Sequence, residues 1–276
     1  MLTEDAPAKI NLCLFVGPTR EDGRHELVSV MESISLADTL HLEHLPSGED
    51  EVVCEGLEDT LVTNALASFR AATGWDGGPV RITIDKRIPV AAGLGGGSAD
   101  AAAALRLAAR ASGFEDDDGT LHRLAAGLGS DVPGQVRPGR VLATGAGERI
   151  ERLPPTDPYG VLVLPSRDHL STPAVYAEAD RLGLPRTAEQ LDEALAHVRD
   201  HGPPPVNDLQ DAARSLCPSI DEALDAARAA GARDALVAGS GPTVLGLFDT
   251  PEEAERAAHD LRHRDPRPIA ARPACA

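Results

Sequence analysis

The chain has 276 residues, a length that allows one large domain or two modest ones. Its formal net charge of −18 argues against nucleic acid or an anionic membrane as a partner, because both are negatively charged. No run is long and apolar enough to predict a membrane span, and the N-terminus lacks the basic-then-apolar pattern of a secretion signal. The four cysteines are scattered without metal-ligand spacing, which favours thiols in a reducing cytoplasm.

The first elements are a strand and a helix. Apolar residues alternate with other residues over 10–16 and predict a strand, and Lys9 and Asn11 share one face of it because side chains repeat every second residue. Apolar residues at helical spacing over 61–73 predict a helix that ends at the following glycine.

A glycine-rich stretch over 88–97 follows an alternating apolar strand over 80–84 and precedes an Ala- and Leu-rich helix over 99–112. Such a run of glycines costs conformational entropy, so it needs a physical use. A loop whose N–H groups converge on an anion at a helix start provides that use. We therefore predict a phosphate-binding loop, with Ser98 as the N-cap of the helix.

Two familiar phosphate loops do not fit this stretch. A Walker loop requires a lysine directly after the glycines, and none is present. A dinucleotide loop requires a third glycine where Ser98 stands and an early position in a parallel sheet. The remaining alternative is a glycine-rich hairpin or flexible linker.

The composition changes at the proline-rich segment 153–158, and we predict a domain boundary there, between residues 1–153 and 154–276. In the second half, 235–238 and 244–248 read as strands joined by a glycine turn. Strands and helices mix in both halves, which predicts an α+β protein.

Further helix signals lie in the second half. The pair Ser219 and Glu222 predicts a capping box, and Thr250 with Glu253 and an intervening proline predicts a second helix start. The segment 197–205, which ends in three prolines, predicts a polar loop.

The chain resembles the GHMP small-molecule kinases, and five short motifs in the family's order carry that resemblance. The motifs are Ala6–Leu12 (APAKINL), Asp22–Glu26 (DGRHE), Pro89–Ala103 (PVAAGLGGGSADAAA), Leu128–Pro133 (LGSDVP) and Gly239–Val244 (GSGPTV). The resemblance implies two domains, the first like domain 2 of ribosomal protein S5 and the second ferredoxin-like.

The resemblance also implies an ATP-dependent kinase that uses Mg²⁺ and phosphorylates a small alcohol. Some of the motifs are most similar to members acting on a diphosphocytidyl sugar alcohol in the non-mevalonate isoprenoid route. No protein ligand set for the metal is assigned. The implied ATP-contacting residues are Lys86, Pro89, Gly93, Leu94, Gly95, Gly96, Gly97 and Ser98.

On the acceptor side, the resemblance implies that Asp131 orients the substrate hydroxyl and that Lys9 stabilises the developing alkoxide. The structural alternatives are a turn or capping role for Asp131 and a solvated strand-end position for Lys9. Lys9 and Lys86 are the only lysines among 26 basic residues, which suggests that a compact ammonium is wanted at both positions. Asn11 either binds the hydroxyl or Lys9, or is structural.

The resemblance implies cytidine contacts by Arg24 and His25 and substrate contacts by Gly239 and Ser240. Arg24 departs from the family, which usually has a stacking aromatic residue there; a guanidinium plane can also stack. The alternatives are surface positions for Arg24 and His25, an exposed strand-end charge for Lys86, and a tight turn at 239–241.

Two classes of function remain open. One is a kinase for a diphosphocytidyl sugar alcohol or another small alcohol, and the other is a nucleotide-binding homologue without turnover. We expect a small-molecule substrate, no nucleic-acid or membrane partner, and a cytoplasmic monomer or weak homodimer.

Overall fold

The computed structural model describes residues 1–55, 60–116 and 119–274, in which strands and helices are interspersed. The strands are β1 (Leu2–Thr19), β2 (His25–His44), β3 (Glu51–Cys54), β4 (Val80–Asp85), β5 (Arg140–Gly145), β6 (Arg149–Arg152), β7 (Gly160–Leu164), β8 (Val206–Asn207), β9 (Asp234–Val237), β10 (Val244–Phe248) and β11 (Ile269–Ala271). The helices are α1 (Thr60–Thr73), α2 (Gly96–Ser112), α3 (Thr120–Leu128), α4 (Val132–Gln135), α5 (Thr172–Leu182), α6 (Ala188–His201), α7 (Gln210–Leu216), α8 (Ser219–Ala229) and α9 (Pro251–Asp260). This mixture confirms the predicted α+β class.

Contacts group the chain into two compact units built from interleaved segments. The first unit comprises residues 1–9, 36–88 and 95–138, and the second comprises 10–35, 89–94 and the residues from 139 onward. β1, β2 and the glycine-rich stretch therefore each contribute to both units. The predicted division after residue 153 stays a prediction.

The first unit packs helices on a sheet. Strand β4 pairs antiparallel with the C-terminal half of β2 and parallel with β3. The side chains of Leu66 and Phe69 on α1 are fully or almost fully buried in a cluster with the alanines of α2. Small side chains along α2 allow its backbone to approach neighbouring elements closely, and this packing holds the start of α2 in place.

The second unit contains an antiparallel sheet in the order β11-β7-β10-β9. In its centre, Val244 lies opposite both Leu164 and Val237, and helices α8 and α9 contribute buried residues to the same core. The strands predicted over 235–238 and 244–248 are confirmed as an antiparallel pair. In the same unit, β5 pairs with the N-terminal half of β2 and with β6.

Two local predictions in the second unit are wrong. Ser219 does not cap its helix, because Pro218 takes the N-cap position and the Ser219 hydroxyl donates to Asp168 Oδ2 at 2.5 Å. The segment predicted as a loop over 197–205 is helical up to His201, where α6 ends. The capping box of Thr250 and Glu253 is confirmed in both directions.

Glu32 gives the second unit a predicted pH dependence. It lies on β2 opposite Arg140 and is 3% exposed. Burial raises the pKa of Glu32 to about 7, and Arg140, whose Nε lies 3.8 Å from Glu32 Oε2, opposes that rise only in part. The folded protein thus keeps a proton that the unfolded chain has released, so stability falls as the pH rises from 4.5 towards about 7.

Glu32→Gln is therefore expected to melt at a higher temperature than the parent at about pH 8 and at the same temperature at about pH 5, because glutamine mimics the protonated carboxyl. Thermal unfolding, monitored by circular dichroism, measures the melting temperatures of the parent and the variant at both pH values. Glu151→Gln, which changes an exposed carboxylate on β6, is the control. A lower melting temperature for Glu32→Gln at about pH 8 would show that the ionised pair with Arg140 stabilises the fold.

Candidate active site

The first turn of α2 presents backbone N–H groups without a side-chain cap from the preceding residue. Gly95 occupies the N-cap position with a φ of 68°, in the left-handed region that favours glycine. The helix begins at Gly96, so Ser98 is the third helical residue and the prediction that it caps the helix is wrong. The first N–H groups of a helix have no partner within the helix, and the helix dipole makes that end partly positive. This end of α2 is suited to an anion.

Lys9 lies directly under this helix start. A Cβ at Gly95 would lie 2.9 Å from Lys9 Cγ and 3.1 Å from Lys9 Cε, so the lysine stem occupies the space that a side chain would need. Lys9 is 6% exposed, which excludes the solvated strand-end interpretation. Its ammonium Nζ is 3.3 Å from Asp131 Oδ2. Lys9 thus connects the glycine-rich helix start to the predicted catalytic carboxylate.

Asp131 precedes α4 at its N-cap position, but its side chain makes no capping hydrogen bond. The carboxylate remains partly open, with its side chain 37% exposed. Helix α4 is tied to β1 because Gln135 Nε2 donates to the Pro7 carbonyl at 3.2 Å. Arg106 reinforces this connection by donating to the carbonyl oxygens of Gln135 and Asp5. The Lys9–Asp131 pair therefore rests on a braced backbone.

Lys86 lies at the end of β4, where its ammonium contacts two fully buried carboxylates. Nζ is 2.5 Å from Asp38 Oδ2 and 2.7 Å from Asp100 Oδ2. The other oxygen of Asp38 accepts the backbone N–H groups of Arg87 and Ile88. Burial opposes ionisation of Lys86, but hydrogen bonds to Asp100 and Asp38 outweigh it and raise its pKa. The exposed strand-end alternative for Lys86 is therefore wrong.

The ammonium of Lys86 also lies close to the start of α2. A Cβ at Gly96 would lie 3.5 Å from Lys86 Nζ and 3.2 Å from Ile88 Cγ2. One cation thus faces two carboxylates beneath the predicted phosphate loop. The sequence predicted Lys86 but not its partners Asp38 and Asp100.

In the second unit, the segment Pro89–Leu94 lies against the predicted turn at Gly239 and Ser240. Gly93 has a φ of 74°, and a Cβ there would collide with the carbonyl oxygen of Ala238. The Ser240 hydroxyl is 3.0 Å from the Thr172 hydroxyl on α5. The Pro89–Leu94 part of the glycine-rich motif is therefore in contact with the turn of the Gly239–Val244 motif.

Asn207 supports this turn and was missed by sequence analysis. Its side-chain amide donates to the carbonyl oxygens of Val237 and Gly239, at 2.8 and 2.7 Å. Its Oδ1 accepts the Leu209 N–H at 2.9 Å. An asparagine two residues after the proline run was the available signal, because buried side-chain amides commonly hold irregular backbone.

His25 is buried beside helix α5 of the same unit, so the surface-loop alternative is wrong. Its Nδ1 donates to the Gly17 carbonyl at 2.9 Å, and its Nε2 lies 3.4 Å from Asp180 Oδ1. The ring of Tyr176 lies 5.3 Å from the His25 ring with a tilt of 31°. Tyr176 and Asp180 were missed; their signal was a tyrosine and an acid four residues apart on one helical face.

Arg24 and Asn11 also lie in the second unit. Arg24 is 54% exposed in its side chain and donates through Nε and Nη2 to Asp22 Oδ2, at 3.1 and 2.8 Å. Asn11 is buried and donates to the Ser29 hydroxyl at 2.7 Å. The exposure of Arg24 leaves its guanidinium group accessible. The burial of Asn11 and its hydrogen bond to Ser29 favour the structural alternative for Asn11.

Family models match two stretches of the chain. The model described as the GHMP kinases N terminal domain matches residues 60–139, and the model described as GHMP kinases C terminal matches residues 182–266. The first match contains the helix start and Asp131, and the second contains the Gly239–Ser240 turn.

Curated relatives extend over most of the chain. A 4-diphosphocytidyl-2-C-methyl-D-erythritol kinase of Salinispora tropica is 41% identical, over 94% of this chain and 87% of the relative. An enzyme of the same name from Streptomyces avermitilis is 39% identical, over 94% of this chain and 92% of the relative.

Solved structures share the fold. A crystal structure of 4-(cytidine 5'-diphospho)-2C-methyl-D-erythritol kinase matches with a TM-score of 0.83 and 35% identity, covering 100% of both chains. A mevalonate kinase matches with a TM-score of 0.73 at 15% identity, which bears on the fold alone. Both matches agree with the predicted two-domain architecture.

Proposed function

Because the chain belongs to the GHMP kinase family, we propose that it transfers a phosphoryl group from ATP to a hydroxyl of 4-diphosphocytidyl-2-C-methyl-D-erythritol, in the non-mevalonate isoprenoid route. The observation that carries the proposal is the Lys9–Asp131 pair, 3.3 Å apart, with the stem of Lys9 against the N-cap glycine of α2. A phosphate cradle, a cation and a carboxylate that orients the acceptor are what phosphoryl transfer requires.

The ATP side of the proposal rests on α2. The N–H groups of Gly96, Gly97 and Ser98 bind the phosphates, supported by the dipole of a 17-residue helix. Such local positive potential is needed in a chain whose net charge is −18.

Mg²⁺ is proposed to enter with ATP. Over residues 1–55, 60–116 and 119–274, no group of three or more His, Cys, Asp or Glu is arranged to hold a metal. Such a group is not required, because Mg²⁺ commonly binds substrate phosphates, waters and one or two carboxylates. The Ser98 hydroxyl, in the first turn of α2, would be the side chain suited to it. When bound, the ion neutralises charge on the phosphates.

On the acceptor side, Asp131 accepts a hydrogen bond from the substrate hydroxyl and holds its oxygen in line with the transferred phosphorus. Lys9 stabilises the negative charge that develops on that oxygen. Because Lys9 also pairs with Asp131, the carboxylate acts mainly through positioning rather than as a strong base.

Recognition of the cytidyl group is proposed to involve His25, Tyr176 and Arg24. The buried His25 and the tilted Tyr176 ring provide planar and polar surfaces for a base. The exposed Arg24, at the family's aromatic position, favours a second candidate, a GHMP kinase for another small alcohol. A non-catalytic nucleotide-binding homologue is disfavoured by the adjacent Lys9 and Asp131.

An ATP-consumption assay against a panel of sugar alcohols with and without the cytidyl group tests the proposal. We expect turnover with the cytidyl acceptor and much less without it. Equal turnover with an acceptor that lacks the cytidyl group would support the second candidate, and no turnover with any acceptor would support the non-catalytic homologue.

Asp131→Asn is expected to bind ATP nearly as the parent does and to lose turnover by a factor of about a hundred to ten thousand. The reason is that the carboxylate orients the acceptor rather than the triphosphate. Calorimetry measures ATP binding, and steady-state phosphorylation measures turnover. Asp76→Asn, at an exposed position of the same unit, is the control. Near-parental turnover of Asp131→Asn would assign Asp131 a structural role.

The setting of the enzyme is also proposed. In the described part of the chain, no helix has the length and apolarity needed to cross a bilayer. Cys13, Cys54 and Cys217 are buried and form no disulfide with one another, which supports a reducing cytoplasm. We propose a small-molecule substrate without nucleic acid or membrane as partner, and a monomer or weak homodimer.

A further inference from the structure

We infer that Arg20 is a positioning residue that holds the turn carrying Arg24 and His25 in its binding conformation, acting through Asp22. The inference rests on the proposed function, because this turn is the part proposed to meet the cytidyl group.

Arg20 is the first residue of the turn between β1 and β2. Its backbone N–H donates to the Arg24 carbonyl at 2.7 Å, and its own carbonyl accepts the Gly23 N–H at 3.0 Å. Its guanidinium contacts three carboxylates, which belong to Asp22, Glu26 and Glu148. One side chain therefore ties together the turn and the strand that follows it.

Asp22 connects Arg20 to Arg24. Asp22 Oδ1 lies 3.4 Å from Arg20 Nε and accepts the Arg24 backbone N–H at 3.1 Å. Its Oδ2 accepts both Nε and Nη2 of the Arg24 side chain. The carboxylate thus sets the direction of the Arg24 guanidinium plane, and Arg20 sets the position of the carboxylate.

Glu148 anchors the network outside the turn. Its Oε1 accepts from Arg20 Nη1 at 3.2 Å, and its Oε2 accepts the Ala146 N–H at 2.6 Å. A Cβ at Gly145, which has a φ of 73°, would lie 2.5 Å from Glu148 Oε1. The turn between β5 and β6 therefore leaves room for the carboxylate that holds Arg20.

This arrangement differs from an isolated surface ion pair. The side chains of Arg20 and Glu148 are 24% and 27% exposed. Four charged side chains contact one another in series, in the order Glu148, Arg20, Asp22 and Arg24. Networks with a rigid guanidinium fork hold geometry better than exposed single pairs. A flexible arginine at a stacking position needs such support, because an aromatic ring would lose less conformational entropy on binding.

The test compares Arg20→Gln with the parent, using the cytidyl substrate and ATP. We expect KM for the cytidyl substrate to rise roughly three- to thirtyfold, while KM for ATP and kcat at saturation stay within about twofold. Arg199→Gln, which breaks the exposed Arg199–Glu151 pair with the same change in charge, is the control and should match the parent.

The double variant Arg20→Gln/Arg24→Ala tests whether Arg20 acts through the turn. If it does, Arg20→Gln raises KM for the cytidyl substrate much less in the Arg24→Ala background than it does in the parent. Full additivity, or an equal rise in KM for ATP, would overturn the inference. Glu148→Gln, a milder change, should produce a smaller rise of the same kind and provides the test if Arg20→Gln does not fold.

Hydrogen exchange in the ligand-free protein separates this inference from the proposed function. The Arg24 amide, which donates to Asp22, should exchange faster in Arg20→Gln than in the parent. Unchanged exchange would overturn the inference even if the parent phosphorylates the cytidyl acceptor. If the Arg24 amide exchanges faster in Arg20→Gln but the parent does not phosphorylate the cytidyl acceptor, the positioning role is supported and the proposed function is rejected.

Discussion

Gly95→Ala is expected to lose most of its turnover, whereas Gly113→Ala is expected to keep nearly all of it. Both glycines flank α2 with a φ of 68°, and their ψ angles are 25° and 22°. An alanine in this left-handed region costs about 1–2 kcal/mol of backbone strain, and this cost is therefore the same in the two variants. The surroundings differ, because a Cβ at Gly95 would lie 2.9 Å from Lys9 Cγ, whereas nothing lies within 4 Å of one at Gly113.

The difference between the two variants measures what displacing Lys9 costs. A shift of about 1 Å in a catalytic group can lower turnover roughly a hundredfold, and we expect a loss of at least that size in Gly95→Ala. Steady-state phosphorylation and thermal unfolding of both variants test this. Similar melting temperatures with unequal kcat would support the role of Lys9, whereas equal kcat values would contradict it.

Capping shows where sequence patterns predict structure and where they do not. The pair Thr250 and Glu253 forms the predicted capping box, because its partners lie within one helical turn. The same pattern at Ser219 fails, because Asp168, 51 residues away, accepts the Ser219 hydroxyl. Ser98 fails for a different reason, since Gly95 already turns the chain into α2. A local pattern predicts well only where no distant group competes for it.

The candidate site follows the same rule. Alternation and glycine spacing predicted the strand, the loop and the helix that surround the phosphate site, and motif resemblance added Lys9 and Asp131. The side chains that support other predicted site residues, such as His25 and Gly239, come from distant parts of the chain. Tyr176 lies beside His25, and Asn207 supports the Gly239 turn, although neither belongs to a motif. Such contacts depend on packing, which periodicity does not encode.

Lys86 is the clearest case, because the sequence predicted this residue but not the two buried carboxylates that its ammonium contacts. The sequence predicted that its ammonium reaches the nucleotide. In the structure, Nζ contacts Asp38 and Asp100, both 0% exposed. We propose that Lys86 neutralises these two carboxylates beneath the helix start and so keeps the phosphate loop in place.

Lys86→Met is accordingly expected to lower the melting temperature and to raise KM for ATP. Removing one partner of a buried ion pair costs about 3–5 kcal/mol, because it leaves charge buried without compensation. Here two carboxylates would remain under the N-terminus of α2, where they would also repel the phosphates of ATP. Thermal unfolding and ATP titration measure the two effects.

The triple variant Lys86→Met/Asp38→Asn/Asp100→Asn distinguishes a positioning role from direct contact with the nucleotide. It removes the ammonium together with both buried negative charges, and the amide oxygen of asparagine at position 38 still accepts the N–H groups of Arg87 and Ile88. If Lys86 acts by neutralisation, the triple variant recovers the melting temperature of the parent. Its affinity for ATP then also returns to within about tenfold of the parent's. If the ammonium contacts ATP, the melting temperature recovers while ATP affinity stays low, because no cation has returned to the site. Failure of both to recover would show that the hydrogen bonds of this particular lysine, rather than its charge, hold the start of α2.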